Sequence, residues 1–190
     1  MSAKPILTAL QELEAWATDP RPRIGTGLAY LDKMMNGGLA RSEYMMVCAF
    51  SGSGKTNLAL NTLLHNWNVP TIFFSLEMSA RQVASRLAAM FADRSTVKVE
   101  QDFRSGQEAP YVQPLLDRLR LLTIDDTPAI SLRKAKESFE RTAERLADMG
   151  QAPPRLAIFD YLELIGGPGF NGKAEKVDSA SERLRDFARE

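Results

Sequence analysis

The eight residues from Ala49 to Thr56 read AFSGSGKT, and their types and spacing point to phosphate chemistry. The pattern G-x-x-x-x-G-K-[ST], set between a strand and a helix, curls successive backbone N–H groups around an anion. The positive end of the following helix adds to that attraction. Here the last three positions match and an alanine replaces the first glycine. The expected nucleotide-binding set is Ser51, Gly52, Ser53, Gly54, Lys55, Thr56 and Asn57. Lys55 would reach the β- and γ-phosphates and take part in catalysis, and the Thr56 hydroxyl would face a magnesium ion. A glycine-serine turn before a capped helix is the plain alternative. It leaves unexplained why glycine, lysine and threonine coincide at a strand-to-helix junction.

Splitting a nucleoside triphosphate also takes a carboxylate beside the metal and a base that orients the attacking water. Asp160 ends the apolar run RLAIFD. It would therefore stand at the C-terminal edge of a buried strand, where open α/β sheets bind ligands. Glu77 ends IFFSLE at the same edge and can polarise water in line with the terminal phosphate. A strand-ending aspartate and an acidic helix cap are the structural alternatives, and Ser79 could serve equally well as that cap. Asp125 and Asp126, in DDTP, read as turn formers.

Positioning these groups requires strands that end at one edge. Four apolar runs alternate with helical segments: YMMVCAF (44–50) before a helix at 55–66, PTIFFSLE (70–77) before SARQVASRLAAMFAD, LRLLTIDD (119–126) before SLRKAKESFERTAERLADM, and RLAIFDYLELI (155–165) before SASERLRDFARE. Short continuous apolar strands between helices predict an α/β fold, a mainly parallel sheet covered on both faces. Ser131 is expected to cap the third helix, with Arg133, Glu137 and Arg141 on its solvated face. Ahead of this core, ILTALQELEAWA (6–17) has helical spacing and is followed by TDPRPR, whose prolines end a helix. That helix either folds back on its own domain or docks on a neighbouring subunit. The division is thus residues 1–22, a short helix with a proline linker, and 23–190, the core.

The bulk numbers set the class. A chain of 190 residues with 44% apolar and 25% charged side chains suits a folded soluble domain. Lys plus Arg balance Asp plus Glu at 24 each, so there is no global basic field, although a few residues in a channel can still hold a strand of nucleic acid. The one cysteine, Cys48, is expected to be a buried thiol, which fits a reducing compartment. No run approaches the roughly 20 apolar residues of a membrane span, and the N-terminus has no signal-peptide pattern. These features imply a cytoplasmic protein with no membrane partner.

Taken together, these stretches resemble the RecA-like ATPase domain of DnaB-type replicative helicases, hexameric ring motors on single-stranded DNA. The resemblance is carried by TGLAYLDKMMNGGL (26–39), AFSGSGKT with the family's habitual alanine, FFSLEMSARQVASR (73–86), LLTIDDTP (121–128), IFDYLELI (158–165) and SERLRDFARE. It implies a RecA-like P-loop NTPase fold, with ATP and Mg2+ as cofactors. It also implies Glu77 as catalytic base, Asp160 as the Walker B magnesium carboxylate, and Arg86 near the nucleotide. The implied function is ATP-driven translocation on single-stranded DNA and duplex unwinding by a homo-oligomeric ring, a hexamer when complete, with primase or a loader as replication partners.

Glu163 stands where the family usually has glutamine. The loop GGPGFNGKAEK (166–176) sits where RecA-like motors project toward DNA, and Lys173 and Lys176 could meet phosphates there. By the same resemblance, the strand with the sensor glutamine and the arginine finger would follow residue 190. This chain alone is therefore expected to bind nucleotide better than it hydrolyses it. The alternatives are another RecA-superfamily ATPase and a non-hydrolysing nucleotide-binding loader or regulator of a helicase ring.

Overall fold

Every residue of the strand β1, Thr71–Ser75, is buried, as a strand covered on both faces should be. In the computed structural model, which describes residues 4–19, 21–105, 109–160 and 173–189, β1 is the middle of a parallel sheet. Its order is β2-β1-β3, with β2 spanning Leu122–Asp125 and β3 spanning Leu156–Asp160. The register pairs Phe74 with Asp125 on one side and Ser75 with Asp160 on the other. Three strands thus end level at their C-terminal edge, two of them on aspartates.

Helices cover both faces. On one, Phe73 meets Leu60 and Leu63 of α3 (Lys55–His65) and Val83 and Leu87 of α4 (Ala80–Ala92). On the other, Ile72 and Phe74 meet Ala135 and Phe139 of α7 (Leu132–Asp148), and Phe74 stacks on Phe159 at 4.4 Å. The side chains of β1 alternate between two cores, so all of them are apolar or small. Helix α8 (Lys173–Arg189) buries Ala180 and Leu184, and its Phe187 meets Phe139 edge-on at 5.5 Å. Ser131 caps α7 as expected, and Arg133 pairs with Glu137.

Residues 24–39 are stapled to α3. Asp32, on the short helix α2 (Ala29–Met34), accepts the Thr26 amide at 2.6 Å, the Thr26 hydroxyl at 2.7 Å and the Gly27 amide at 3.1 Å. From α3, Asn61 and Thr62 donate to the Thr26 carbonyl, and Asn66, just past its end, donates to that of Gly25. Ile24 and Leu39 exchange backbone hydrogen bonds, which brings Gly38 over Ile24. With φ +114° and its Cβ direction 2.2 Å from the Ile24 oxygen, only glycine fits at 38.

The structure corrects several expectations. Residues 44–50 form no strand: they pair with no neighbour among the described residues, and Phe50 is 91% exposed. An apolar run becomes a strand only where a partner satisfies its backbone groups, and β3 pairs with β1 alone among the described residues. Cys48 is consequently exposed, not the expected buried thiol. Helix α8 begins at Lys173, so Lys173 and Lys176 lie in its first turn and not in a loop. Their side chains, Glu163 and residues 166–172 lie outside the described residues.

Two further helices, α5 (Thr96–Arg104) and α6 (Val112–Arg118), were not signalled by the apolar pattern. Helix α1 (Ile6–Ala17) forms as expected but buries none of its residues. Its Ile6, Leu7, Leu10 and Leu13 are exposed, finding no cover on the core among the described residues.

Candidate functional site

The loop 49–56 runs directly into α3, which has Gly54 as its N-cap at φ +97°. That left-handed conformation is glycine's, and it turns the chain into α3. The first four N–H groups of a helix have no intrahelical partner. At Gly52 and Gly54 nothing among the described residues lies within 4 Å of the Cβ direction, so no described atom crowds those positions. Ser53 braces the curl from within, its hydroxyl donating to the Phe50 carbonyl at 2.6 Å. Lys55 Nζ lies over the same loop and donates to the carbonyls of Ala49 at 2.8 Å and Phe50 at 3.0 Å.

Two of the sequence-predicted residues meet directly across 104 positions of chain. The Thr56 hydroxyl donates to Asp160 Oδ2 at 2.8 Å. Asp160 is 6% exposed at the end of β3, so the strand delivers its carboxylate beneath the first turn of α3. No three His, Cys, Asp or Glu among the described residues converge on a common point. A hydroxyl beside one carboxylate is instead the donor set of a site completed by phosphate oxygens and water, the usual manner of binding magnesium. The residues present fit both groups, an anion on the loop and a divalent cation between Thr56 and Asp160.

Glu77 stands two residues past β1 on an exposed turn. The turn is fixed on three sides. The Leu76 amide donates to the Asp160 carbonyl at 2.8 Å, and the Ser75 hydroxyl donates to the Met78 carbonyl at 2.7 Å. Ser79 and Gln82 form a reciprocal capping box at the start of α4. The cap role that sequence alone left open thus falls to Ser79, and Glu77 stays free of it. Arg86 is exposed on α4 and makes no hydrogen bond or ion pair with the described residues; the fold places it nine positions after Glu77 without engaging it.

At the third strand end, burial pushes the Asp125 carboxyl up. The Ser138 hydroxyl, the Thr127 side chain and amide, and the Arg141 charge outweigh this and hold it below the usual range. Asp125 is therefore an anchored structural carboxylate, as the turn reading implied. Asp126 does something the sequence did not signal: its Oδ2 accepts the Ala80 amide at 2.7 Å, tying the β2–α7 loop to the N-terminus of α4.

The site thus combines an apolar parallel sheet, a phosphate-type loop opening α3 and a threonine–aspartate pair beneath it. Residues 23–190 match the family of the DnaB-like helicase C terminal domain. The chain belongs to that family. Among curated relatives, the replicative DNA helicase DnaB of Nostoc sp. is 31% identical over 180 residues, which cover 89% of this chain and 19% of that protein. The DnaB of Geobacillus stearothermophilus is 30% identical over 178 residues, covering 88% and 37%. The chain therefore spans only a fifth to somewhat over a third of the length of these DnaB relatives.

Among solved structures, a DnaB-like replicative helicase described with its interactions with primase superposes over 100% of this chain and 46% of its own, with TM-score 0.73 and 18% identity. A second solved structure, an ATPase domain, is matched over 97% of this chain and 65% of its own, with TM-score 0.69 and 20% identity. Likeness at this identity fixes the fold, which is that of the DnaB-type, RecA-like ATPase domains.

Proposed function

We propose that this chain is the ATP-binding motor module of a DnaB-like replicative helicase, residues 23–190 forming the ATPase core and residues 1–22 an arm. The observation that carries the reading is the Thr56–Asp160 hydrogen bond at 2.8 Å beside an open loop at the N-terminus of α3. Family membership supports nucleotide use; ATP with Mg2+ is the specific proposal. When bound, magnesium neutralises charge between the phosphates. The chain's own residues do the rest. Amides from Ser51 to Asn57 hold the phosphate oxygens, and Lys55 exchanges the carbonyls of Ala49 and Phe50 for the terminal phosphates. Thr56 and Asp160 are the residues that would hold the metal. Glu77, on its braced turn, takes the proton of the attacking water, and Arg86 reaches toward the nucleotide.

Coupling to single-stranded DNA, with Lys173 and Lys176 as contacts, belongs to the same proposal, as do a hexameric ring, primase or loader partners and a cytoplasmic location. Support for the ring comes from α1, whose apolar stripe finds no cover on its own core among the described residues. The absence of any membrane-length apolar helix among the described residues is compatible with this location.

The test is ATP turnover by the chain with and without single-stranded DNA, with Glu77→Gln alongside. Tight MgATP binding with weak turnover, which Glu77→Gln abolishes, is the expected result; strong DNA-stimulated turnover would mean that the chain works as a motor by itself. MgATP binding without any turnover would favour a non-hydrolysing regulator of a ring, and no binding at all would end the proposal.

A further inference from the structure

Glu77 is useful as a base only if its turn is held relative to the phosphate loop; the Asp160 carbonyl and the Ser75–Met78 bond hold its β1 end, and the Ser79–Gln82 box closes the start of α4. The link from the β2 strand end is Asp126, whose Oδ2 accepts the Ala80 amide at 2.7 Å across 46 residues of chain. Ala80 is the first residue of α4, three positions after Glu77. The loop that presents Asp126 is itself rigidly built. Asp125 is locked by the Ser138 hydroxyl and the Thr127 amide. Ala129 sits at φ +47°, a left-handed conformation that alanine adopts only under constraint, and such strain persists where the surroundings over-determine it. Asp126 itself is exposed and fills no core, so its contact does little for packing. What it does is fix the start of α4, and with it the turn carrying Glu77.

We propose that Asp126 is a positioning residue for the hydrolytic step, a tether that sets Glu77 against the phosphate loop from the β2–α7 loop. The idea rests on the reading of Glu77 given above. Asp126 touches no reacting atom, so its loss should slow hydrolysis while leaving nucleotide affinity alone. A charged acceptor at a helix N-terminus is a modest interaction, which sets the scale at roughly three- to tenfold in rate.

The experiment uses the 190-residue chain, with single-turnover hydrolysis of radiolabelled MgATP, MgATP affinity by titration, and amide exchange of the peptide 76–82. Asp126→Ala should lower the hydrolysis rate constant about three- to tenfold, by the worth of one helix-terminus contact, with affinity unchanged within about twofold and faster exchange at Ala80. Asp126→Asn, which keeps an acceptor oxygen, should recover most of the rate. In a Glu77→Gln background, Asp126→Ala should have no further effect, since two residues acting through one group are not additive.

Unchanged exchange at Ala80 would overturn the tether, whatever turnover does. Faster exchange with unchanged hydrolysis would overturn the positioning role. An equal loss of affinity and rate would mean a general structural part. If Glu77→Gln itself leaves hydrolysis intact, the reading of Glu77 fails first, and the exchange measurement still judges the tether on its own.

Discussion

Neutralising Asp160 separates a residue kept for metal from one kept for stability. Asp160 is 6% exposed, and its carboxylate accepts one hydrogen bond among the described residues, from Thr56 at 2.8 Å. Two effects oppose each other. Holding a carboxylate out of water costs several kcal/mol, and a hydrogen bond to a charged group returns about 1.5–3 kcal/mol. Asp160→Asn relieves the first and keeps a weakened form of the second, because the amide oxygen still accepts from Thr56. The variant should therefore lie within about 1 kcal/mol of the parent, a Tm shift of roughly 2–4 °C for a domain of this size.

Metal binding should respond far more. Removing an outer-sphere carboxylate typically costs about 10–100-fold in metal affinity. Titrating ATP into both proteins with magnesium and then with EDTA should show a magnesium-dependent gain in the parent that is largely gone in Asp160→Asn, while affinity in EDTA is equal. A loss of more than about 3 kcal/mol in stability, the cost typical of breaking a buried network, would refute the reasoning. So would a magnesium gain that survives the substitution.

Three further outcomes follow from the fold. Gly38→Ala puts a methyl group 2.2 Å from the Ile24 oxygen at φ +114° and should cost about 3 kcal/mol or more in urea unfolding. Phe73→Ala empties the core between α3, α4 and the sheet, where Phe73 is fully buried, and should cost about 3–5 kcal/mol. Asp32 carries the pH prediction. Burial raises its carboxyl, but the Thr26 amide, the Thr26 hydroxyl, the Gly27 amide and the His65 charge together bring it below its ordinary value. A lowered carboxylate stabilises the fold above its unfolded value and loses that contribution as pH falls through its folded value. Asp32→Asn should thus cost about 1–2 kcal/mol at neutral pH, and the gap to the parent should begin to narrow only below the ordinary carboxylate value of about 4 and close as pH falls through the lowered folded value; a gap that widens as pH falls would contradict the assignment.

Sequence made the site easier to read than its setting. Thr56 and Asp160, 104 residues apart, were matched because each ends or begins an element at the same sheet edge, a consequence of parallel topology that apolar runs reveal. Ser131 was legible as a cap because a hydroxyl before a helix has few other uses, whereas Ser79 and Glu77 competed for the same role in sequence. The run 44–50 misled for the opposite reason. Apolar content says that a segment can be a strand, but pairing is a property of its neighbour, and no local pattern reports a missing partner. Helices α5 and α6 escaped because they are short and bury little: Val99 is the only buried residue of α5. The network of Thr26, Asp32, Asn61, Thr62 and Asn66 and the Asp126 tether were invisible because their hydrogen bonds join residues distant in sequence through polar groups. The six-residue spacing of Thr26 and Asp32 is the one local sign of them.

The central claim is that the loop 49–56, Thr56 and Asp160 together hold MgATP. A crystal structure of the chain with magnesium and a non-hydrolysable ATP analogue tests it most directly. The account predicts the β- and γ-phosphates on the amides at the start of α3, and Lys55 turned from the Ala49 and Phe50 carbonyls onto them. It also predicts the metal on Thr56 with Asp160 beside it. A nucleotide seated elsewhere, or bound with Lys55 still on those carbonyls and no metal at Thr56, would contradict it.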